Sequence, residues 1–449
     1  MGGRIEIDDR AAAGGGTDRR EAGAPAAPVA PVEPGVPDEP EAWAVLLSVN
    51  GLGPAGFGAL LAAYGSGRAI LAAAGLRGAA ARFTRIAAGG DGRPPFGTSV
   101  GEGIMAVAGA LVGRLATLRA TGLAIVTLDD PAYPARLLAI ELPPPVLLVR
   151  GAPQALSAAH AVAIVGTRRP TERGRLVAAR IAAAIARTGA VVISGLAVGI
   201  DGAAHAAVAA EGRPTVAVLG SGHGRLFPRA HHRLANDIVA TGGAVVSELW
   251  PDTPPSKNTF PQRNRVISGL ADATIVVEAG LRSGALITAH WALEQGRDLF
   301  LVPGPLDEPR SAGCLAWLRE YPGAARIVAA LPELIADLGL VDEPPGVAAV
   351  EPASRPGRPG LEAILIELGS TARDVGAALV GGHGSLDELV EETGHAPATV
   401  LGAITLLELR GLATTAYGRY RAAGQLASAS VPEVRHRGTG RLPARSGPC

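Results

Sequence analysis

The stretch Val162-Ala163-Ile164-Val165-Gly166-Thr167-Arg168-Arg169 joins a short apolar run to a glycine turn that carries two arginines. Similar runs recur further along the chain, each separated from the next by a stretch long enough for a helix; they span 191–194, 215–219, 244–247, 274–277 and 299–302. Short apolar runs that alternate with helical stretches are typical of strands buried on both faces of a parallel sheet. The sequence therefore predicts an α/β fold with a doubly wound parallel sheet.

Glycine-containing turns follow most of these predicted strands. In an open α/β sheet, ligands bind at the carboxyl ends of the strands, where helix N-termini offer unpaired N–H groups to anions. Five such turns on one edge, with three arginines among them, indicate a site for a polyanion. Asp201, just beyond the second turn, is predicted to cap the helix that runs to Ala210. The turns are Gly166-Thr167-Arg168-Arg169, Ser194-Gly195-Leu196-Ala197, Gly220-Ser221-Gly222, Arg282-Ser283-Gly284 and Pro303-Gly304-Pro305.

The run Phe260-Pro261-Gln262-Arg263-Asn264-Arg265 adds two more arginines to this region. The planar guanidinium group suits bidentate phosphate contacts and keeps its charge. The alternative is structural, an ion-pair hub in which these arginines meet Glu278 or Glu248. Aromatic residues make up only 3% of the chain, which leaves few platforms for base stacking and predicts that phosphate contacts dominate.

The charge of the whole chain points to no particular partner, because its 449 residues include 41 basic and 41 acidic side chains. The main sheet differs from this average, since residues 161–328 hold 18 Lys and Arg against 13 Asp and Glu, an excess of five. Lys257 is the only lysine in the chain. The arginine bias also fits a GC-rich genome, which favours arginine codons.

Several common chemistries lack their motifs. Lys257 lies between Ser256 and Asn258, so no Walker A loop is present, and Arg225 stands where a dinucleotide fingerprint needs its third glycine. The histidines lack metal-ligand spacing and no Gly-x-Ser-x-Gly elbow occurs. We therefore expect no catalytic residue, no metal and no cofactor. Two cysteines and the absence of a signal peptide or an 18-residue apolar run predict a cytoplasmic protein with no membrane segment.

Composition divides the chain into further regions. Residues 1–40 and 425–449 are predicted to be disordered tails, and 336–360 a linker rich in Pro and Gly. Residues 41–120 predict a small helical domain resembling a helix-hairpin-helix, in which two helices flank the turn Gly51-Leu52-Gly53-Pro54 and a loose Gly/Ala segment follows. That turn either presents N–H groups to a DNA phosphate or only allows close packing. Residues 121–335 form the main domain, with lead-in strands at 123–127 and 146–149.

Residues 361–424 predict a winged helix-turn-helix domain of three helices and a β-wing. Ser385 and Glu388 form a capping box there, and Gly394 separates the second helix from the third. The third helix, 396–409, has a basic residue only at its end, Arg410. Because a helix so poor in cations and amides reads bases badly, a packing or protein-binding role is favoured over duplex recognition.

The motifs of the main domain resemble the DNA-processing protein A (DprA/Smf) family. The resemblance covers about 170 residues and includes Ala163–Arg168, Ser194–Asp201, Phe260–Leu270, Val276–Ala279, Ser283–Ala289 and Val302–Pro305 through Ser311–Gly313. It implies an extended Rossmann-like fold in a protein that is not an enzyme. It also implies binding of single-stranded DNA, a homodimer, and loading of the recombinase RecA during natural transformation or homologous recombination.

The resemblance also implies a set of DNA-binding residues. Arg168 and Arg229 match basic positions of the family, and Arg263-Asn264-Arg265 match its central motif, although position 229 is often lysine in the family. The full set is Gly166, Thr167, Arg168, Ser194, Gly195, Arg229, Arg263, Asn264, Arg265, Ser283 and Gly284. The alternative function is a nucleotide-processing, phosphoribohydrolase-like enzyme on a related fold, but the loop Arg282-Ser283-Gly284-Ala285 lacks the glutamate that such enzymes carry.

Overall fold

The computed structural model describes residues 35–87, 99–340, 361–416, 419–423 and 426. Among them, nine strands form one sheet in the spatial order β1-β2-β6-β5-β4-β3-β7-β8-β9. The seven strands from β6 to β9 in this order are parallel, whereas β2 pairs antiparallel with both β6 and the edge strand β1. Their bounds are β1 (Ala124–Thr127), β2 (Val146–Gly151), β3 (Ala161–Val165), β4 (Val191–Ser194), β5 (Thr215–Val218), β6 (Ala244–Ser247), β7 (Ala273–Val276), β8 (Asp298–Leu301) and β9 (Ala325–Ile327).

The predicted doubly wound parallel sheet is confirmed, and alternation along its strands explains how both faces are covered. Val162 and Ile164 of β3 pack on one face and Ala161, Ala163 and Val165 on the other, as expected for side chains that alternate across a strand. One face carries α8 (Glu172–Arg187), α9 (Ile200–Ala210), α10 (His232–Ala240) and α14 (Leu331–Asp337), and the opposite face carries α11 (Thr259–Gly269) and α12 (Gly284–Glu294). Two helices remain in this region, α7 (Ala135–Leu138) and α13 (Ala312–Glu320).

The described residues of the N-terminal region form helices joined by turns, without a strand. The two predicted helices and their glycine turn are present as α1 and α2, but the prediction of a loose segment after them is wrong. That segment forms further helices, whose Phe83, Ile104 and Leu115 are almost fully buried. Its many alanines and glycines hide the helical pattern, because the burial comes from packing between helices. The helices are α1 (Glu39–Leu47), α2 (Pro54–Tyr64), α3 (Gly67–Ala73), α4 (Ala79–Ala87), α5 (Ser99–Gly109) and α6 (Leu111–Ala120).

The C-terminal region has a separate core built from Val375, Leu389, Ile404 and neighbouring apolar side chains. The predicted capping box of Ser385 is confirmed, and Gly394 ends its helix with φ 68°. One helix, α16, was not predicted. The winged-helix assignment stays an interpretation of this arrangement. The elements are α15 (Leu361–Leu368), α16 (Ser370–Val380), α17 (Leu386–Thr393), α18 (Pro397–Leu409), β10 (Ala413–Ala416) and β11 (Arg419–Ala422).

The predicted tails and linker lie mostly outside the described residues, although α1 begins within the first tail and α14 ends within the linker range. In the described part of the chain, no single helix is both long enough and apolar enough to cross a bilayer. Two consecutive helices, 100–109 and 111–120, reach that length and composition only together, across a bend of 78°.

Candidate functional site

A cavity of about 570 Å³ opens at the carboxyl edge of the parallel strands. It lies beside β3, which pairs with β4 on one side and with β7 on the other. The strand order reverses at this point, and ligands usually bind at such a point in an open α/β sheet. The turn after β3, the start of α11 and the start of α12 supply most of its wall. The lining residues are Val165, Gly166, Thr167, Arg168, Arg169, Ala197, Asp201, Lys257, Phe260, Pro261, Arg263, Asn264, Ile267, Ser283, Gly284, Ala285, Ile287 and Thr288.

The cavity brings together seven of the residues expected from the sequence: Gly166, Thr167, Arg168, Arg263, Asn264, Ser283 and Gly284. The others lie elsewhere. Ser194 and Gly195 are buried behind the wall, where the Ser194 hydroxyl donates to the Ile164 carbonyl at 2.6 Å. Arg229 is exposed at the start of the connection into α10. Arg265 points away from the cavity, into an ion pair described below.

Exposed cations surround the cavity mouth. Arg168, Arg169 and Lys257 all have solvent-exposed side chains, and within the described residues none of the three forms an ion pair. Arg282 is likewise exposed, next to the lining residue Ser283. Guanidinium and ammonium groups that lack an internal counter-ion are free to neutralise an external anion.

Two phenylalanines stand at the same mouth. The Phe260 ring lines the cavity and lies 5.9 Å from the Phe227 ring, whose residue is 45% exposed. The Arg168 guanidinium lies 5.0 Å from the centre of the Phe260 ring, a cation–π distance. The low aromatic content of the chain predicts few platforms for base stacking. Two of its few aromatic rings are placed together beside the cations.

Lys257 also lines the cavity, although it is not among the DNA-binding residues expected from the sequence. Its position three residues before Phe260, as the only lysine of the chain, was the available signal.

The central arginine pair is buried, and each member has a partner inside the protein. That both members contact DNA stays a prediction. Arg263 is 4% exposed and donates to the carbonyls of Gly195, at 2.6 Å, and Val218. Burial lowers the pKa of Arg263 to about 10, so it stays charged at neutral pH. Arg265 forms an ion pair with Glu248, and neither side chain is more than 13% exposed. The ion pair that the structural alternative predicts for Arg265 is therefore present, with Glu248 rather than Glu278.

The N–H groups of two turns are already bound by acidic side chains. Asp201 does not cap its own helix, since Gly199 occupies the N-cap of α9. Its carboxylate instead accepts from the amides of Gly195, at 3.1 Å, and Ala197, at 3.4 Å. Burial raises the pKa of Asp201, and the nearby positive charge of Arg263 opposes that rise.

Glu278, at the end of β7, does the same for the turn after β3. Its carboxylate accepts from the Thr171 amide at 2.9 Å and from the Thr171 hydroxyl at 2.5 Å. The expectation that these turns offer free N–H groups to a ligand is therefore wrong for these amides. At this edge the exposed cations, rather than these amides, are available to an anion.

The described residues contain no group of three or more His, Cys, Asp or Glu side chains arranged to hold a metal ion. The cavity wall combines cations, the Phe260 ring and small polar groups, which is the chemistry of a polyanion site.

Comparisons with known proteins point to one family. The model of the DNA recombination-mediator protein A family matches residues 124–339. A DprA relative from Mycobacterium tuberculosis is 41% identical over 276 residues, which cover 60% of this chain and 67% of that protein. The DNA processing protein DprA of Bacillus subtilis is 42% identical over 207 residues, which cover 46% of this chain and 69% of that protein.

A solved structure agrees with these sequence matches. The X-ray structure of DNA processing protein A from Streptococcus pneumoniae is 30% identical, with a TM-score of 0.54, and it covers 66% of this chain and 97% of that chain. The residues matched by the family model include β1 to β9 and every residue that lines the cavity.

Proposed function

The chain belongs to the DNA recombination-mediator protein A family of DNA-processing proteins, and from that premise we propose that it binds single-stranded DNA in the cavity beside β3. The observation that carries the proposal is the mouth of the cavity, where Arg168, Arg169 and Lys257 are exposed around the Phe260 ring. Cations that follow the backbone and aromatic rings that stack on bases are the two components of single-strand sites.

The phenylalanines favour a single strand over a duplex. A base can stack on Phe227 or Phe260 only if one of its faces is free, and in a duplex both faces are covered by neighbouring base pairs. Phosphate contacts alone would not make this distinction, because both forms carry phosphates. The two phenylalanines therefore support discrimination of single-stranded from double-stranded DNA, and the cations support the affinity for either form.

A binding role is favoured over the phosphoribohydrolase-like alternative. Asp201 is the acidic side chain in the cavity wall, and its carboxylate accepts two backbone hydrogen bonds. A carboxylate held in this way is poorly placed to take a proton from a substrate or water. We therefore propose that the protein is not an enzyme.

The cellular part of the proposal follows from the family. We propose that the protein acts in the cytoplasm as a homodimer and helps to load RecA on the bound strand during natural transformation or homologous recombination. Light scattering of the purified protein tests the dimer. A RecA strand-exchange assay on DNA coated with single-strand-binding protein tests loading. If the protein does not stimulate strand exchange, it binds DNA without loading RecA.

Anisotropy of a labelled oligothymidine tests the central claim. We expect tight binding that weakens with salt, with a slope of roughly −0.7 for each phosphate contact, and a duplex of equal length should not displace the strand. Lys257→Ala should weaken binding, whereas Arg187→Ala should not, because Arg187 pairs with Glu211 at the far end of α8. Absence of binding at low salt would overturn the proposal.

A further inference from the structure

The turn between β3 and α8 is normally where a nucleotide-binding sheet receives a phosphate, because the first N–H groups of the helix are unpaired there. In this protein that position holds a carboxylate of the chain itself. Glu278 is 9% exposed and accepts from the amide and hydroxyl of Thr171, the N-cap of α8. A Cβ atom at Gly174 would lie 2.4 Å from the Glu278 carboxyl carbon, so the carboxylate packs directly on the first helical turn.

Glu278 also binds the other end of the same turn. Its main-chain carbonyl accepts from the Thr167 amide at 2.6 Å, while its side chain holds Thr171. One residue at the end of β7 thus fixes both ends of the segment 167–171. That segment carries Arg168 and Arg169, the exposed cations of the cavity mouth.

The neighbouring turn, between β4 and α9, has the same arrangement. The Asp201 carboxylate is 5% exposed and binds the Gly195 and Ala197 amides. Two adjacent turns of one sheet edge are therefore each closed by an acidic side chain of the protein. Acidic residues beneath a site for a polyanion are unfavourable by charge alone, so their placement needs another reason.

We propose that Glu278, together with Asp201, acts as a resident anion that occupies the phosphate position of its turn. Glu278 holds Arg168 in place and leaves the site to strands rather than to free nucleotides. The inference rests on the proposed single-strand binding. A mononucleotide depends on one or two phosphates that bind at a helix N-terminus. Here the Glu278 carboxylate occupies that position and would repel a phosphate. A strand presents many phosphates and can bind through the outer cations instead.

The direction in which Glu278→Ala changes DNA affinity distinguishes this positioning role from simple charge repulsion. Removing a negative charge close to bound DNA should strengthen binding if the charge only repels the strand. If Glu278 positions Arg168, Glu278→Ala should instead weaken oligothymidine binding by about tenfold, the loss expected for one charge-assisted hydrogen bond. Glu294→Ala is the matched control, because Glu294 is exposed at the opposite end of α12. Stronger binding by Glu278→Ala would overturn the inference while leaving the proposed function intact.

Formate supplies a rescue that a general loss of stability would not show. In Glu278→Ala, added formate can enter the space of the lost carboxylate, so it should restore binding, whereas chloride at equal ionic strength should not. A thymidine diphosphate competitor should displace the strand from this variant and not from the parent protein. In an Arg168→Ala background, the further effect of Glu278→Ala should shrink, because the side chain that Glu278 positions is already gone.

Hydrogen exchange at Thr171 gives a measurement that requires no DNA. The Thr171 amide should exchange faster in Glu278→Ala and slow again when formate is added. Failure of both changes would overturn the resident-anion inference whether or not the parent protein binds a strand. Failure of the parent protein to bind any strand, with the exchange result as expected, would instead remove the proposed function.

Discussion

Arg168 and Arg263 both line the cavity, but their guanidinium groups have different partners. Arg168 lies in solvent over the Phe260 ring, whereas Arg263 is buried against two carbonyls at the ends of β4 and β5. The sequence alone could not separate these roles, because both residues sit in motifs that the family shares. Exposure leaves the Arg168 guanidinium available to a ligand, and burial places the Arg263 guanidinium within the support of the wall.

Arg168→Ala should weaken strand binding by about tenfold and reduce the salt slope by about 0.7. Its free energy of unfolding should change by less than about 0.5 kcal/mol, because the side chain is exposed. Anisotropy at several salt concentrations and urea unfolding measure the two quantities. Unchanged affinity would exclude Arg168 from the site.

Arg263→Ala should instead act mainly on the stability of the fold. Loss of the guanidinium leaves the Gly195 and Val218 carbonyls unpaired in the interior, which should lower the free energy of unfolding by about 2–3 kcal/mol. Urea unfolding measures the effect, with exposed Arg225→Ala as the control. Full stability combined with lost DNA binding would show that Arg263 contacts the strand directly.

Part of the site followed from the sequence. The turns at Gly166 and Gly284 and the motif residue Asn264 were identified correctly as neighbours, because the carboxyl ends of parallel strands meet at one edge. The contact of Glu278 with Thr171 was not predicted, since a hydrogen bond to a residue 107 positions away leaves no local pattern.

At the scale of elements, strands were easier to predict than helices. Each strand from β1 to β8 lies within about one or two residues of its predicted position, because each is a short apolar run between turns. β9 was missed because its three residues form too short a run. α4 to α6 were missed because alanine and glycine weaken the contrast between their buried and exposed faces.

The capping box of α17 makes a prediction about acid. The Ser385 and Gly384 amides hold the pKa of Glu388 at about 2, below its ordinary 4.5. A carboxyl whose pKa is lowered by folding contributes stability above about pH 4.5 and loses it as pH falls towards about 2. The protection of the α17 amides, taken relative to intrinsic exchange at each pH, should therefore fall across that range. Glu388→Gln should remove this dependence and exposed Glu391→Gln should not.

Ser385→Ala tests the same cap at neutral pH. It removes the acceptor for the Glu388 amide and should cost about 1 kcal/mol of local stability. An unchanged exchange rate in α17 would show that the cap contributes nothing to this helix.

At the scale of the whole molecule, the N-terminal helices and one face of the sheet share a core. Buried residues of α1 to α6 belong to the same apolar cluster as β3, α11 and α12, and the Arg114 guanidinium of α6 lies 5.3 Å from the centre of the Trp250 ring, beyond β6. The domain boundary predicted near residue 120 is therefore crossed by continuous packing.

Phe83→Ala should test this continuity. Phe83 is fully buried and packs on Tyr64, so the substitution should lower the free energy of unfolding by about 3–5 kcal/mol. Because the core is shared, hydrogen exchange should accelerate in the sheet as well as in α1 to α6. The separate core of 361–426 should be unaffected. Faster exchange confined to α1 to α6 would show two independent folding units.

The chain carries a single lysine, and it stands in the wall of the cavity. Reagents that acylate amines at alkaline pH would therefore modify one side chain, Lys257, apart from the α-amino group, while the arginines stay unreacted. A fluorophore attached there would report occupancy of the cavity directly, without any substitution. Protection of Lys257 from acylation by an added ligand would likewise serve as a footprint that a mass spectrometer reads at one peptide.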